Sequence, residues 1–421
     1  MTFFILVITL LSLCIILYVY FGYPLLLKLL SILLKTKATR QDEMLTPEVS
    51  LIISCYNEVD VVKEKIENSL AIDYPRDKLK IIIVSDGSDD GTDEIAKQYS
   101  TEGIMLIRQE GRLGKTSAIN LAMEQVTSEI VVFSDANAMY ETDAIKKLVR
   151  NFADKTVGYV VGAALYTDGK TSAAAASEDI YWRYEIKLKT LESKLHSVVG
   201  GDGAIYAIRR ALFIKLDAKD INDFVNPLQI IAQGYRGVFD HEANCLEETA
   251  GDFAKEAKRK QRIVNRSFRG LMKMKEVLNP LKFGFFSFEV ISHKLLRWLI
   301  PVFIMCFALG SLFLSYENIF VFQIITLLGI LFILLAQVGF LKSRNKIISP
   351  LFSIPYYFLM VNYYSLLGVL TALAGNIQVT WSTPRVSTKE KGLLKTKGIV
   401  ILTICNLALI KIFFDTLFNY Q

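Results

Sequence analysis

The chain has 421 residues, of which 52% are hydrophobic and 21% charged, with a formal net charge of +6, and its mean hydropathy of +0.35 is too apolar for an ordinary soluble protein. The positive charge is accounted for by basic groups flanking apolar runs, which favours anionic lipid surfaces and argues against nucleic acid as a partner. Five cysteines, at positions 14, 55, 245, 306 and 405, have no paired spacing, so neither a zinc site nor a disulfide framework is indicated.

Residues 3–27 are apolar, uncharged and long enough as a helix for the ~30 Å hydrocarbon layer. They lack a basic leader and a small-residue cleavage site, so a retained anchor is expected rather than a cleaved signal. Lys28, Lys35, Lys37 and Arg40 follow and nothing charged precedes. The positive-inside rule therefore puts the N-terminus outside and the next domain in the cytosol. Residues 1–41 form this anchor with its basic flank.

From Val49 the pattern alternates strands and helices: a strand Val49 to Cys55 ending in Tyr56-Asn57-Glu58, a helix at 61–70, and a strand Lys80 to Ser85. Then come the loop Asp86-Gly-Ser-Asp-Asp-Gly91, a helix from Thr92, a strand Ile104 to Arg108, a helix Ser117 to Gln125, and a strand Ile130 to Ser134. Such alternation predicts a mainly parallel sheet covered on both faces, with ligands beyond the carboxyl ends of its strands.

Asp86, Asp89 and Asp90 suit a tight turn and helix cap, but beside Asn57-Glu58 they also make a rim of acceptors for a base imide and ribose hydroxyls. Gly114-Lys115-Thr116 is not a phosphate-binding loop of the ATPase kind, because Gln109 stands where that motif needs glycine. Lys115 at a helix start can still meet a phosphate. Asp135, with Asn137 two residues on, offers the one or two oxygens that a hard divalent cation needs when phosphates complete its shell, and such an ion would neutralise a departing diphosphate. Asp223 opens an apolar helix and, facing the same cleft, can take a proton from an attacking hydroxyl. Arg259 and Arg262 lie on one helix side at a spacing suited to a diphosphate.

Further apolar runs occupy 298–316 and 318–341, with the basic loop Lys342, Arg344, Lys346 after them. The run 347–380 is broken by Pro350 and Pro355, and 398–418 carries Lys411 and Asp415. The basic stretch 385–397 cannot be cytosolic if 347–380 crosses once, so 347–380 is expected to be interfacial or re-entrant.

Taken in order, these motifs resemble family 2 glycosyltransferases of the GT-A fold, especially the membrane-bound synthases of hyaluronan, chitin, cellulose and poly-N-acetylglucosamine. The resemblance runs over about 47–385. It implies an α/β GT-A domain at 42–265, amphipathic interfacial helices at 266–296 and a transmembrane region at 297–421. It further implies nucleotide contacts at Tyr56, Glu58 and Asp86, a metal motif at Asp135 and Asn137 taking Mg2+ or Mn2+, and a base at Asp223. Arg259-Lys-Gln-Arg262-Ile263 corresponds to a Gln-x-x-Arg-Trp motif, keeping the arginine and losing the acceptor-stacking Trp. Gly203 and Tyr206 fall in a loop similar to one near the acceptor, and Ile377-Gln-Val-Thr-Trp381 is similar to a gating loop. The expectation is an inverting hexosyl- or N-acetylhexosaminyltransferase of the plasma or inner membrane, moving sugar from a UDP-sugar to a glycan acceptor. Single-sugar transfer to a lipid-linked acceptor, a non-enzymatic subunit of an export complex, and homo-oligomers or export partners stay open.

Overall fold

A computed structural model describes residues 1–34, 39–168, 171–343 and 348–380. The strands are β1 (Val49–Cys55), β2 (Leu79–Ser85), β3 (Ile104–Arg108), β4 (Ile130–Asp135), β5 (Met139–Tyr140), β6 (Val157–Tyr166), β7 (Tyr206–Arg209) and β8 (Arg236–Glu247). The helices are α1 (Thr2–Leu17), α2 (Tyr23–Leu33), α3 (Val62–Leu70), α4 (Thr92–Gln98), α5 (Lys115–Met123), α6 (Ala144–Val149) and α7 (Ala173–Leu195), then α8 (Asn222–Ala232), α9 (Phe253–Lys273), α10 (Pro280–Phe283), α11 (Phe285–Val290), α12 (Leu296–Tyr316), α13 (Phe320–Lys342) and α14 (Pro350–Leu373).

One sheet runs in the order β3-β2-β1-β4-β7-β6-β8-β5. The half formed by β3, β2, β1 and β4 is parallel, as the alternation of strand and helix predicts. Beyond β4, β7 pairs antiparallel with both neighbours, so the sheet as a whole is mixed. Every residue of β1 is buried, the near-continuous apolar signature of a strand covered on both faces. Alternate residues feed two cores. Leu51 and Ile53 pack with α3, α4 and α6, while Ile52 packs with α5, α8 and α9. The second core continues without interruption into Trp298 of α12 and Val369 of α14, so the sheet and the apolar helices share one interior.

Among the described residues, four helical stretches are long and apolar enough to cross a membrane: Thr2–Leu33, Phe285–Tyr316, Phe320–Lys342 and Pro350–Leu373. The first two each carry a π-helical turn, at Tyr18–Gly22 and Ile291–Leu295, and these turns meet where Tyr18 Oη lies 2.7 Å from Ser292 Oγ. Just beyond, His293 sits fully buried between Glu192 (2.6 Å from Nδ1) and Glu185 (3.0 Å from Nε2) of α7. Arg297 pairs with Glu185 and Tyr23 Oη donates to Glu192 at 2.8 Å. Burying a charge is costly unless it is paired, and this network fastens α7 to the apolar helices.

Three boundaries differ from expectation. The domain edge drawn at residue 265 falls inside α9, because Phe253–Lys273 form one unbroken helix. The 266–296 segment is not separate from the following span: from Phe285 the chain is helical through to Tyr316. Within 347–380, Pro350–Leu373 is one helix despite Pro355, so it does not turn back on itself. It lies along α9, with Tyr356 against Phe253 (rings 4.9 Å apart) and Gly368 against Gln261 and Val264. The loops around Lys35 and Lys342 to Lys346, the stretch 385–397 and the run 398–418 lie wholly or partly outside the described residues.

Candidate active site

The ends of β1 and β2 are tied by short polar bonds. The chain leaves β1 through Asn57 at φ 54, a left-handed conformation that Asn tolerates better than most residues. The Asn57 amide donates to Asp89 Oδ1 at 2.8 Å and accepts from Asp89 N at 3.1 Å. Glu58 N donates to Thr92 Oγ1 at 2.8 Å, and Val59 N to Asp90 Oδ2 at 3.1 Å. Asp89 and Asp90 thus build the rim rather than point from it. Asp86 is fully buried and accepts from Leu113 N (2.9 Å), Gly114 N (3.0 Å) and the Gln109 amide. Burial raises its pKa and these bonds oppose the rise. Its carboxylate fixes the 109–114 loop, which in turn lays the Arg112 guanidinium 3.9 Å above the Tyr56 ring.

The next strand end carries the chemistry. Asp135 closes β4 and pairs with Lys115, whose Nζ also reaches Gly203 O at 3.5 Å. Asp223 stands in the first turn of α8. A Cβ placed on Gly203 would lie 3.1 Å from Asp223 Oδ2, 3.3 Å from Lys115 Nζ and 3.5 Å from Asp135 Oδ2. Three groups from three elements therefore converge beside Gly203, where a side chain would crowd them. Asp223 Oδ1 is buried and has no hydrogen-bond partner among the described residues. Burial raises the Asp223 pKa, the charge of Lys115 opposes this, and Asp202 and Asp135 reinforce it. From α9, Arg262 faces the same pair: burial lowers its pKa while Asp135 and Asp223 hold it up.

Other sequence-based expectations land elsewhere. Arg259, expected on a diphosphate, is engaged by Glu178 and by Glu256 at 2.9 Å, because the helix face that carries it turns toward α7. Tyr206, expected near an acceptor, is fully buried; it stacks on Phe133 (4.7 Å) and its hydroxyl accepts from Asn222 at 2.9 Å and Asn226 at 3.2 Å. Ile263 is half-buried and Asn137 partly exposed, while Trp381 lies outside the described residues. The segment before it does reach the site. Val379 packs against Gly114, and Arg266 Nη1 and Asn265 Oδ1 bond Val379 O (3.4 Å) and Gln378 N (3.3 Å).

Sequence reasoning missed Glu247, at the end of β8, which burial pushes up to about 8, with Asp135 and Asp202 adding to the rise. An assignment of β8 as a strand ending beside β6 was the signal that would have exposed it. As for a metal, no group of three acidic, His or Cys side chains among the described residues comes close enough to hold an ion alone. The oxygen set of Asp135 with Asn137 fits a hard divalent cation that takes the rest of its shell from phosphates and water.

A mixed sheet with an open carboxyl edge, carrying acidic and basic groups at one strand end, is the architecture of the GT-A glycosyltransferases, and this chain has that fold. Residues 50–217 match the profile "Glycosyl transferase family 2", and the chain carries a domain of that family. It is 26% identical over 185 residues to glycosyltransferase AglE of Haloferax volcanii, covering 43% of this chain and 57% of that one. It is 33% identical over 117 residues to the poly-beta-1,6-N-acetyl-D-glucosamine synthase of Staphylococcus aureus, covering 27% and 28%. The matches thus span less than two thirds of either relative. In fold it is similar to the mannosyltransferase PcManGT of Pyrobaculum calidifontis, solved with GDP-Man and Mn2+, with a TM-score of 0.65, 23% identity, and coverage of 87% and 99%.

Proposed function

We propose that the protein is a membrane-bound inverting glycosyltransferase that moves a hexosyl or N-acetylhexosaminyl group from a UDP-sugar to a hydroxyl of a growing polysaccharide. The observation that carries this reading is the convergence of Asp223, Asp135 and Lys115 around Gly203. The base rests near Tyr56 and Glu58, in the rim that Asp86 fixes, and Lys115 and Arg262 offset the charge of the diphosphate. The Asp223 carboxylate accepts the proton of the acceptor hydroxyl. The oxygen so released attacks C1 from the face opposite the nucleotide, and the bond from C1 to the diphosphate breaks with its electron pair leaving on UDP. Asp135 and Asn137 would hold Mg2+ or Mn2+, which when bound supplies Lewis-acid stabilisation of the leaving group.

Purified full-length protein incubated with a panel of UDP-sugars and Mn2+, followed by mass analysis of products, tests this. Release of UDP with formation of a glycosylated product is the expected result. Absence of UDP release with every donor would overturn it in favour of a non-enzymatic subunit. One observation favours a second reading, transfer of one or a few sugars: among the described residues expected at the acceptor, Ile263 has no flat ring and the ring of Tyr206 is buried. A product ladder, as against a single addition, separates the two.

The domain is proposed to face the cytosol at the plasma or inner membrane, with the N-terminus outside. The basic flank of the first span supports this sidedness.

A further inference from the structure

Beneath the Asp135 turn lies a charge that the reaction does not use. Lys65 of α3 is fully buried, its relative exposure being 0%, yet it makes no ion pair among the described residues. Its ammonium donates to Ala138 O and lies 4.2 Å from the centre of the Tyr140 ring. Burying a cation without a paired carboxylate is costly, and a methionine, one atom shorter, would fill most of the same space at no such cost. What the ammonium does supply is a fixed donor under the turn Asp135-Ala136-Asn137-Ala138, which closes on itself through Ala138 N to Asp135 O at 3.3 Å.

The same helix grips the next residues of the turn. The Asn68 amide donates to Tyr140 O and accepts from Tyr140 N, both at 2.8 Å. The Tyr140 hydroxyl lies 3.1 Å from both Phe133 O and Ala204 O, joining the end of β4 to the loop of Gly203. At its other end α3 follows directly on Asn57-Glu58, the loop tied to residues 88–92. One short helix therefore sets the distance between the nucleotide rim and the Asp135 turn.

We propose that Lys65 is a positioning residue for the divalent cation: by holding Ala138 O, with Asn68 as its helper, it orients Asp135 and Asn137 toward one point before metal and donor arrive. The inference rests on the proposed metal role of those two residues. It matters here because one of the two ligands is an uncharged amide. With a single carboxylate, less of the affinity comes from charge and more from geometry fixed in advance.

The test uses full-length protein in detergent with Lys65→Met and, separately, Asn68→Ala. Free Mn2+ is read by electron paramagnetic resonance as protein and UDP are added, and turnover is followed against Mn2+ concentration. Both variants should need more Mn2+ for half-saturation, roughly tenfold or more for Lys65→Met, as for other residues supporting metal ligands, while turnover at saturating Mn2+ stays within about threefold of the parent. A residue that merely fills the core would lower the melting temperature and leave Mn2+ binding within about twofold of the parent, and that outcome overturns the inference. Should Lys65→Met fail to fold, unchanged Mn2+ binding by Asn68→Ala overturns it equally. A parent protein that binds no Mn2+ in the presence of UDP would instead remove the metal reading itself, and this inference with it.

Discussion

At the scale of single residues, Asp223 combines a cleft position with a buried, unpartnered oxygen, the condition in which a carboxyl group holds its proton more tightly than in water. Asp223→Asn should keep UDP binding and lower turnover by about 10²- to 10⁴-fold, the usual contribution of a positioned base. Turnover close to that of the parent would remove it from the base role. A base must be deprotonated to act, and burial raises this one. Activity should therefore be present at high pH and lost as pH falls through a value above the ordinary aspartate range. A flat profile down to that ordinary range would contradict the raised pKa. Ile263→Trp addresses the acceptor: a flat ring there is worth on the order of 1 kcal/mol of contact and should lengthen products at unchanged turnover. Identical product lengths would place the grip on the acceptor elsewhere. That Asp86, Asp135 and Asp223 stand at strand ends or a helix start was legible in the sequence, because local patterning reveals such positions. Arg259 and Tyr206 were misplaced for the opposite reason. Which face of a helix or strand a residue presents depends on partners distant in sequence, here Glu178 for the arginine and Asn222 for the tyrosine.

Among the elements, the parallel half of the sheet was readable as an alternation of strands and helices, with edges displaced by two residues at α5. The mixed half, in which β6 and β8 run parallel while β7 and β5 run against their neighbours, was not. β7 has only the four residues Tyr206–Arg209, too short to show a period, and although α7 follows β6, the next strand lies antiparallel beside it, so β6 finds its parallel neighbour only in β8, distant in sequence. The buried charges of α7 were also hidden, since Glu185 and Glu192 read as an ordinary solvated helix face until His293 and Arg297 are packed on them. Glu185→Ala would leave Arg297 without its carboxylate partner, beside the Tyr184 hydroxyl at 3.3 Å, and would remove the acid beside His293 Nε2. Breaking a buried pair from one side typically costs about 3–5 kcal/mol, so thermal unfolding in detergent should begin at a clearly lower temperature. A melting temperature equal to that of the parent would mean that water replaces the carboxylate and the network carries little of the attachment.

For the whole molecule, the sidedness proposed from the charges around the first span fixes where each connection should lie. Cysteine introduced at Glu317, between α12 and α13, should react with an impermeant maleimide in intact cells, and cysteine at Lys97 of α4 only after the membrane is opened. The reverse pattern would turn the protein over in the bilayer and place the domain outside. Three of the four apolar stretches were evident from composition, while Pro350–Leu373 was expected to be interfacial or re-entrant. Their attachment to the domain was not, because it depends on small residues that permit close approach, such as Gly368 against α9.

The course of α14 along α9 carries a practical corollary. From Phe253 to Asn265, about 18 Å of helix at 1.5 Å per residue, α9 is lined by Tyr356, Tyr357, Gly368 and Thr371. A fragment of residues 42–273, cut to obtain a water-soluble enzyme, would keep α9 and lose α14. Its exposed stripe would include Phe253, Ala257 and Val264, all now at most 5% exposed, a patch of the kind that drives self-association. Such a fragment is expected to elute as aggregates in gel filtration, whereas the intact chain in detergent should run as a single sharp species.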